Sequence, residues 1–321
     1  MRLRTTLPGE CGARRQAAPS VGFAGEVYNY KDVAARLGLR PRTDSDTEVV
    51  VEAFARWGPD CMQYINGMFA FAVWDTEARR LTLVRDRLGV KPLVYSQQGA
   101  RLAFASELKA LAPLLPTRAL NPRALADMLF LEYVPGAQTM FADAAKLPPG
   151  HYLEVDAAGA RLHRYYTLPQ SHARPRLESE AVEELSALTA DAVRLRLMSD
   201  VPVGALLSGG TDSSVVAAKV AEAGVRNFHL FSIGFDVEKF DETPYAKAVG
   251  EALGLPPLIT RVAEAEGLAM TPELFAHYDE PFAVPSMIPT LTVCRIAAQK
   301  VKVALTGDGG DELFMGYGYR S

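Results

Sequence analysis

Apolar positions along the chain switch between two periods, and the switch divides it into halves. Val49, Val50, Ala53, Phe54 and Trp57 fall on one helical face, between Ser45, with Glu48 three residues on, and the stop at Gly58-Pro59. That spacing predicts a helix opened by a capping box. Met68 to Trp74 is an apolar, aromatic run that breaks at Asp75-Thr76-Glu77 and resumes over Leu81 to Val84, which predicts a β-hairpin. Leu102 to Ala105 adds a strand, and Asn121-Pro122 opens a helix with a cap and a proline at its first turn. Both periods lapse between Leu168 and Ser179. Beyond that point Leu185, Leu188, Ala192 and Leu195 predict a helix with a buried stripe. Strands at 203–207, 228–235 and 301–305 then alternate with helices at 214–223, 244–253 and 288–298. Such alternation predicts a parallel sheet, with ligands at the carboxyl ends of its strands.

The organisation expected is a leader over 1–20, a first domain over 21–168, a linker over 169–179 and a second domain over 180–321. Composition agrees: 321 residues at roughly 150 per domain make about two domains. With 49 % hydrophobic and 22 % charged residues the chain is of globular type, not disordered or collagenous. A net charge of −4 gives no reason to expect nucleic acid or an anionic membrane as partner. Cys11, Cys61 and Cys294 form no CxxC, and the five histidines show no ligand spacing, so neither disulfides nor zinc is expected. A cytoplasmic location follows from the cysteine usage and the lack of an apolar leader. Cys61 and Cys294, in apolar helical contexts, are expected to pack in the core.

Two glycine-rich loops carry the candidate chemistry. The first, Leu207-Ser208-Gly209-Gly210-Thr211-Asp212-Ser213-Ser214, lies between a strand and a helix. Adjacent glycines admit a phosphate close to backbone N–H groups, and the helix N-terminus favours negative charge. Asp212 suits a polyanion site where it holds Mg²⁺. The loop is neither a Walker loop nor GxGxxG, and a Gly-Gly turn capped by Ser and Asp is the structural alternative. The second, Leu305-Thr306-Gly307-Asp308-Gly309-Gly310-Asp311-Glu312, also follows a strand; its alternative is an Asp-Gly turn with solvated acids. Two such loops at one sheet edge are hard to attribute to turns alone.

These residues resemble the glutamine-hydrolysing asparagine synthetase family, a class II amidotransferase fused to an ATP-pyrophosphatase domain. SGGTDSS is similar to its pyrophosphate loop, LTGDGGDELFMGY to its second acidic loop, and Ser232-Ile233-Gly234-Phe235 to its adenine-contacting strand. Asp279-Glu280-Pro281-Phe282 with Ile288-Pro289-Thr290 is a further family stretch. In the first half, segments at 25–30, 45–48, 67–71, 85–92 and 146–151 match in order. The resemblance implies an α+β antiparallel sandwich-like N-terminal domain followed by an α/β doubly wound parallel-sheet nucleotide-binding domain, with both ends expected to be incomplete.

It also implies that ATP activates aspartate as β-aspartyl-AMP with release of pyrophosphate, and that ammonia, from glutamine or free, then gives asparagine. By position, Leu207, Ile233, Thr306 and Gly307 would contact ATP. Ser208, Gly209, Gly210, Asp212 and Ser213 would hold pyrophosphate, with Asp212 on Mg²⁺. Asp308 and Asp311 would flank the acyl-adenylate as the catalytic pair. Gly25, Glu26 and Asp46 would bind glutamine. The family's N-terminal nucleophilic Cys has no counterpart: only twelve residues separate Cys11 from Ala24, too few for the intervening strands. Ala24 also stands where the family's oxyanion Asn donates. The glutaminase half is therefore expected to be impaired. Val284 replaces an acid that many relatives carry, leaving the substrate carboxylate open. Amide or lactam formation on another acid, a silent nucleotide-binding fragment, and a homodimer stay open.

Overall fold

The fold comes from a computed structural model that describes residues 20–170, 176–225 and 227–317. Cys11 and its surroundings lie outside the described residues. The chain divides into two compact units, one running to Ser171 and taking in Asp279–Ala283, the other comprising His172–Tyr278 and Val284–Ser321.

The first unit is built on β1 (Ser20–Val27), β2 (Gly67–Asp75), β3 (Arg80–Arg85), β4 (Val94–Gln98), β5 (Arg101–Ala105), β6 (Ala145–Lys146), β7 (His151–Asp156) and β8 (Gly159–Arg164). They form an antiparallel sheet in the order β1-β2-β3-β7-β8 and a second, smaller one in the order β5-β4-β6. The predicted hairpin is β2–β3. Phe69, Ala70, Phe71, Ala72 and Val73 on β2 are all buried because both faces are covered. Phe69, Phe71 and Val73 meet Val33 and Ala34 of α1 (Tyr30–Leu37) and Val49, Val50 and Ala53 of α2 (Asp46–Trp57). Ala70, Ala72 and Leu83 meet Leu93, Leu147 and Leu153 on the other side. A strand buried on two faces reads as a continuous apolar run. The sandwich thus has a helical layer that strand periodicity did not announce. Helices α3 (Leu108–Leu111) and α4 (Pro122–Leu131) complete the unit, α4 capped by Asn121, which accepts from Arg123 N at 3.1 Å and Ala124 N at 3.3 Å.

Half of the expected capping box forms. Ser45 Oγ accepts from Thr47 N at 3.3 Å, but the Glu48 carboxylate turns outward to Arg42 N (3.0 Å), Thr43 N (2.8 Å) and Thr43 Oγ1 (2.7 Å). Arg42 and Thr43 thereby gain an anchor that the capping box would have denied them. Partial burial opposes ionisation of Glu48, and the hydrogen bonds from Arg42 and Thr43 outweigh it, holding the pKa below its ordinary value.

The second unit contains α5 (Glu178–Arg196), β9 (Val203–Leu206), α6 (Thr211–Glu222), β10 (His229–Phe235), α7 (Thr243–Ala252), β11 (Leu258–Val262), α8 (Glu264–Ala269), α9 (Thr271–His277), α10 (Met287–Ala297), β12 (Val303–Leu305) and α11 (Gly310–Phe314). Its four strands are parallel in the order β11-β10-β9-β12. Ala205, Leu207 and Leu230 face Ala217 and Val220 of α6 and Ala246 of α7. Leu206, Phe231 and Ile233 face Val293 and Ala297 of α10. The sheet is wound on both faces, as the alternation predicts.

Two expectations fail in this unit. The α5 stripe is not buried: Leu185 is 42 % and Leu188 62 % exposed, and only Val193 is buried. Periodicity shows that a helix face is apolar, not that something covers it. Cys294 is exposed rather than packed in the core, whereas Cys61 is buried as expected. Among the described residues, no helix is long and apolar enough to cross a membrane.

Candidate functional site

The order β11-β10-β9-β12 contains a reversal. From β9 the chain crosses to β10 and then β11 on one side, while β12 lies on the other side of β9. Crossovers leaving in opposite directions open a crevice at the carboxyl ends of the two strands. Both glycine loops lie there, one following β9 and one following β12.

A cleft of about 840 Å³ opens at this point. Leu207, Ser208, Gly210, Asp212, Ser213, Ile233, Thr306, Gly307, Asp308 and Asp311 all line it, so nearly all the candidate residues of this half come together. Gly209, which does not line the cleft, shapes the first loop from behind. Its φ is +90°, and a Cβ there would lie 2.6 Å from Ala246 N. Ser208 Oγ and Ser213 Oγ are 3.0 Å apart, Gly210 N donates to Ser208 Oγ at 3.2 Å, and Ser214 Oγ donates to Gly210 O at 2.7 Å. These bonds fold the loop over the start of α6, whose first N–H groups have no intrahelical acceptor. The twelve residues of α6 give that end a partial positive charge.

The two loops are packed against each other. A Cβ on Gly307 would lie 2.8 Å from Ser213 N and 2.9 Å from Asp212 Cβ, and one on Gly310 would collide with the Asp212 carboxylate. Asp212 is thus seated against the second loop. Within that loop Thr306 Oγ1 donates to Asp308 Oδ2 at 2.9 Å, and Gly310 N to Gly307 O at 3.1 Å. Tyr317 Oη donates to Glu312 Oε1 at 2.7 Å. That bond, with burial and the nearby acids, pushes the phenol up to about 12, and it holds Glu312 below its ordinary value. Burial and Asp308 together raise the Cys294 thiol.

Phe231, Ile233, Phe235 and Val293 make one wall of the cleft apolar, and Asp212, Glu242, Asp308, Asp311 and Glu312 make the rest acidic. No Lys or Arg is among the described residues that line it. An acidic cleft with a phosphate-type loop fits a divalent cation carried in on an anion. Among the described residues no three His, Cys, Asp or Glu side chains gather closely enough to hold a metal by themselves. This donor set suits Mg²⁺, which keeps several non-protein oxygens, including those of phosphates.

Sequence reasoning missed Phe231, Val293 and Glu242, whereas Phe235 lay within the strand quoted for adenine contacts. The two apolar residues look like ordinary core residues. Glu242 could have been found as an acid just beyond the carboxyl end of a parallel strand.

In the first unit, Gly25 and Glu26 lie on β1 opposite Phe69 and Met68. A Cβ on Gly25 would run into Met68 O, so a glycine is required for the strands to close. Asp46 Oδ2 accepts from Val27 N at 2.8 Å, which brings the three glutamine-site candidates to one end of β1. Ala24 pairs with Ala70. The family stretch Asp279–Glu280 is placed in this unit and not in the cleft. Asp279 accepts from Leu108 N and Lys109 N, and Glu280 accepts from Met140 N at 2.7 Å and pairs with Lys146 Nζ at 2.5 Å.

The fold is an antiparallel unit followed by a doubly wound parallel-sheet unit with two interlocked glycine–acid loops, and the two halves of the chain match two different domain families. Residues 13–166 match the glutamine amidotransferase domain family and 184–321 the asparagine synthase family. A putative glutamine-hydrolysing asparagine synthetase 2 of Methanocaldococcus jannaschii is 36 % identical over 308 residues, 93 % of this chain and 60 % of the relative. A putative glutamine-hydrolysing asparagine synthetase of Mycobacterium tuberculosis is 36 % identical over 308 residues, covering 92 % and 47 %. Glutamine-hydrolysing asparagine synthetase 1 of Bacillus subtilis is 34 % identical over 298 residues, again covering 92 % and 47 %. The chain belongs to the glutamine-hydrolysing asparagine synthetase family. It spans about half to three-fifths of the length of these curated relatives.

Proposed function

We propose that the protein carries the ATP-dependent, amide-forming chemistry of an asparagine synthetase, with aspartate, ATP and ammonia or glutamine as its small-molecule substrates. The side-chain carboxylate of aspartate attacks the α-phosphorus of ATP. A new O–P bond forms, the bond to the β-phosphate oxygen breaks, and β-aspartyl-AMP and pyrophosphate result. Ammonia then attacks the acyl carbon, the C–O bond to AMP breaks, and a proton is lost from nitrogen. One observation carries this reading: two glycine loops interlock around Asp212 where the parallel sheet reverses, beside an apolar wall.

In this reading Leu207, Ile233, Thr306 and Gly307 receive the adenosine. Ser208, Gly209, Gly210 and Ser213 would hold the leaving pyrophosphate, with the loop's N–H and O–H groups exchanging their bonds within the loop for phosphate oxygens. Donors held in place at a site supply much of the rate in group-transfer reactions. Asp212 would hold Mg²⁺, which supplies charge neutralisation of the leaving group. Asp308 and Asp311 face the acyl-adenylate, where a carboxylate can accept the proton lost from nitrogen. Gly25, Glu26 and Asp46 would form the glutamine pocket. With no amide donor at Ala24, glutamine hydrolysis is expected to be slower by about 10²–10³. A cytoplasmic location fits these substrates.

The test is pyrophosphate release from Mg·ATP by the purified chain. Release that requires aspartate, with label passing from ¹⁵NH₄⁺ into asparagine, supports the proposal. Release independent of any carboxylic acid overturns it. A second reading is amidation of a different carboxylate: the resemblance implies an acid where this chain has Val284, which is exposed and uncharged but does not line the cleft. ATP–pyrophosphate exchange across a panel of carboxylic acids decides between the two.

A further inference from the structure

We propose that Glu242 is the ribose-recognising side chain of the cleft, and that it makes the site selective for nucleotides bearing both 2′- and 3′-hydroxyls. The inference rests on the reading above that the cleft takes ATP.

Two close approaches fix where Glu242 stands. A Cβ on Gly234 would lie 2.8 Å from Thr243 Cγ2 and 3.1 Å from Asp241 Oδ1, so residues 241–243 are pressed onto β10 between Ile233 and Phe235. A Cβ on Gly209 would lie 2.5 Å from Tyr245 Cβ and 2.6 Å from Ala246 N, so the first turn of α7 is pressed onto the first glycine loop. Glu242 falls between these two contacts and lines the cleft. In space, though not along the chain, these contacts set the order apolar strand, Glu242, phosphate-type loop. A nucleotide has the same order: base, sugar, phosphates. The sugar is the part that meets Glu242.

The side chain is free for that task. It is the residue before α7, yet it makes no capping hydrogen bond. Its neighbour Asp241 is committed, accepting from Thr243 N at 3.1 Å and pairing with Arg261 at 3.0 Å. Glu312 is held by Tyr317 and Asp308 by Thr306, while Asp212 is seated against the second loop. An ionised carboxylate has two acceptor oxygens and no donor, and vicinal hydroxyls present two donors side by side. The match accounts for a carboxylate in a cleft that admits a polyanion. A 2′-phosphorylated sugar would meet repulsion, and a deoxy sugar would leave an acceptor unused.

The experiment measures binding of Mg·ATP, Mg·2′-deoxy-ATP, Mg·3′-deoxy-ATP and Mg·pyrophosphate to the full chain and to Glu242→Gln and Glu242→Ala, with melting curves as a check on folding. The unchanged protein should prefer ATP over either deoxy nucleotide by roughly 10- to 100-fold, the range expected for hydrogen bonds to a charged acceptor. Glu242→Ala should erase the preference while pyrophosphate affinity stays within about twofold, and Glu242→Gln should retain part of it through its remaining carbonyl acceptor. If the Ala variant keeps the ribose preference, or loses affinity for all four ligands equally, the inference is wrong although the cleft still binds nucleotide. If the unchanged protein binds none of the nucleotides, the reading of the cleft fails first and takes this inference with it.

Discussion

The two units use charged residues in opposite ways. In the first, the densest charged motif, Arg85-Asp86-Arg87, is wholly engaged in holding backbone. Arg85 donates to Lys91 O (2.9 Å), Leu147 O (2.7 Å) and Gly89 O (2.8 Å), and burial lowers its pKa against the opposing pull of Asp86. Asp86, 2 % exposed, accepts from Leu88 N, Val90 N and Lys91 N at 2.8 to 3.1 Å. Arg87 donates to Ile65 O and Met62 O. In the second unit, Asp212, Asp308, Asp311 and Glu242 line an open cleft and take little part in joining elements. Apart from Glu242, both sets lie in motifs that resemble the same family. The difference teaches that a motif charge marks function only where its hydrogen-bonding capacity is left open; where every lone pair is taken, it marks a loop that has to be held in shape.

The contrast can be broken most severely at Asp86. Asp86→Ala leaves at least three part-buried N–H groups without their acceptor and empties a buried carboxylate position, and should cost about 3 kcal/mol in urea unfolding. Next is Gly307→Ala. A methyl group 2.8 Å from Ser213 N forces the two loops apart, and a displacement of about 1 Å at such a site can cost about 100-fold in ligand handling. Titration with Mg·ATP should show that loss with a melting temperature little changed. Asp212→Asn is milder: it should weaken Mg·ATP by about tenfold, near 1.4 kcal/mol, and leave metal-free nucleotide binding nearly as it was. An equal loss with and without Mg²⁺ would remove the metal from the reading of Asp212.

The smallest effect concerns pH. Glu48 titrates lower in the folded chain than its ordinary 4.5. A carboxylate of this kind stabilises the fold above that ordinary value, and its contribution fades as pH falls from there through the lower folded pKa. Melting temperature should therefore drop over that acid window more in the unchanged protein than in Glu48→Gln. Parallel curves would mean that the Arg42–Thr43 anchor contributes nothing.

How far the sequence spoke for the structure depended on whether the signal was local. Both glycine loops were legible because each carries its own strand, turn residues and acids in a few consecutive positions. Asn121-Pro122 was legible for the same reason. What depends on a distant neighbour was not. The apolar stripe of α5 looked buried because period alone cannot show a partner. Glu48 looked like half of a capping box, and only the folded path of residues 42–43 offers it better donors. Glu242 was legible only as an acid just beyond a strand end; its place between strand and loop is set by Gly234 and Gly209, which approach its neighbours from two separate segments.

The pairing of β12 with β9 joins Leu305 to Ala205 across one hundred residues of chain. Neither glycine loop has its final shape without the other, since Gly307 and Gly310 are the surfaces on which Asp212 rests. Contacts of such large sequence separation form late, after a long loop has closed. As the chain leaves the ribosome, the first loop emerges with no wall to lean on, and its acid faces water until β12 docks. The cleft therefore cannot mature before the second glycine loop has been made, and a chain halted before residue 305 would hold the phosphate-type loop without the cleft.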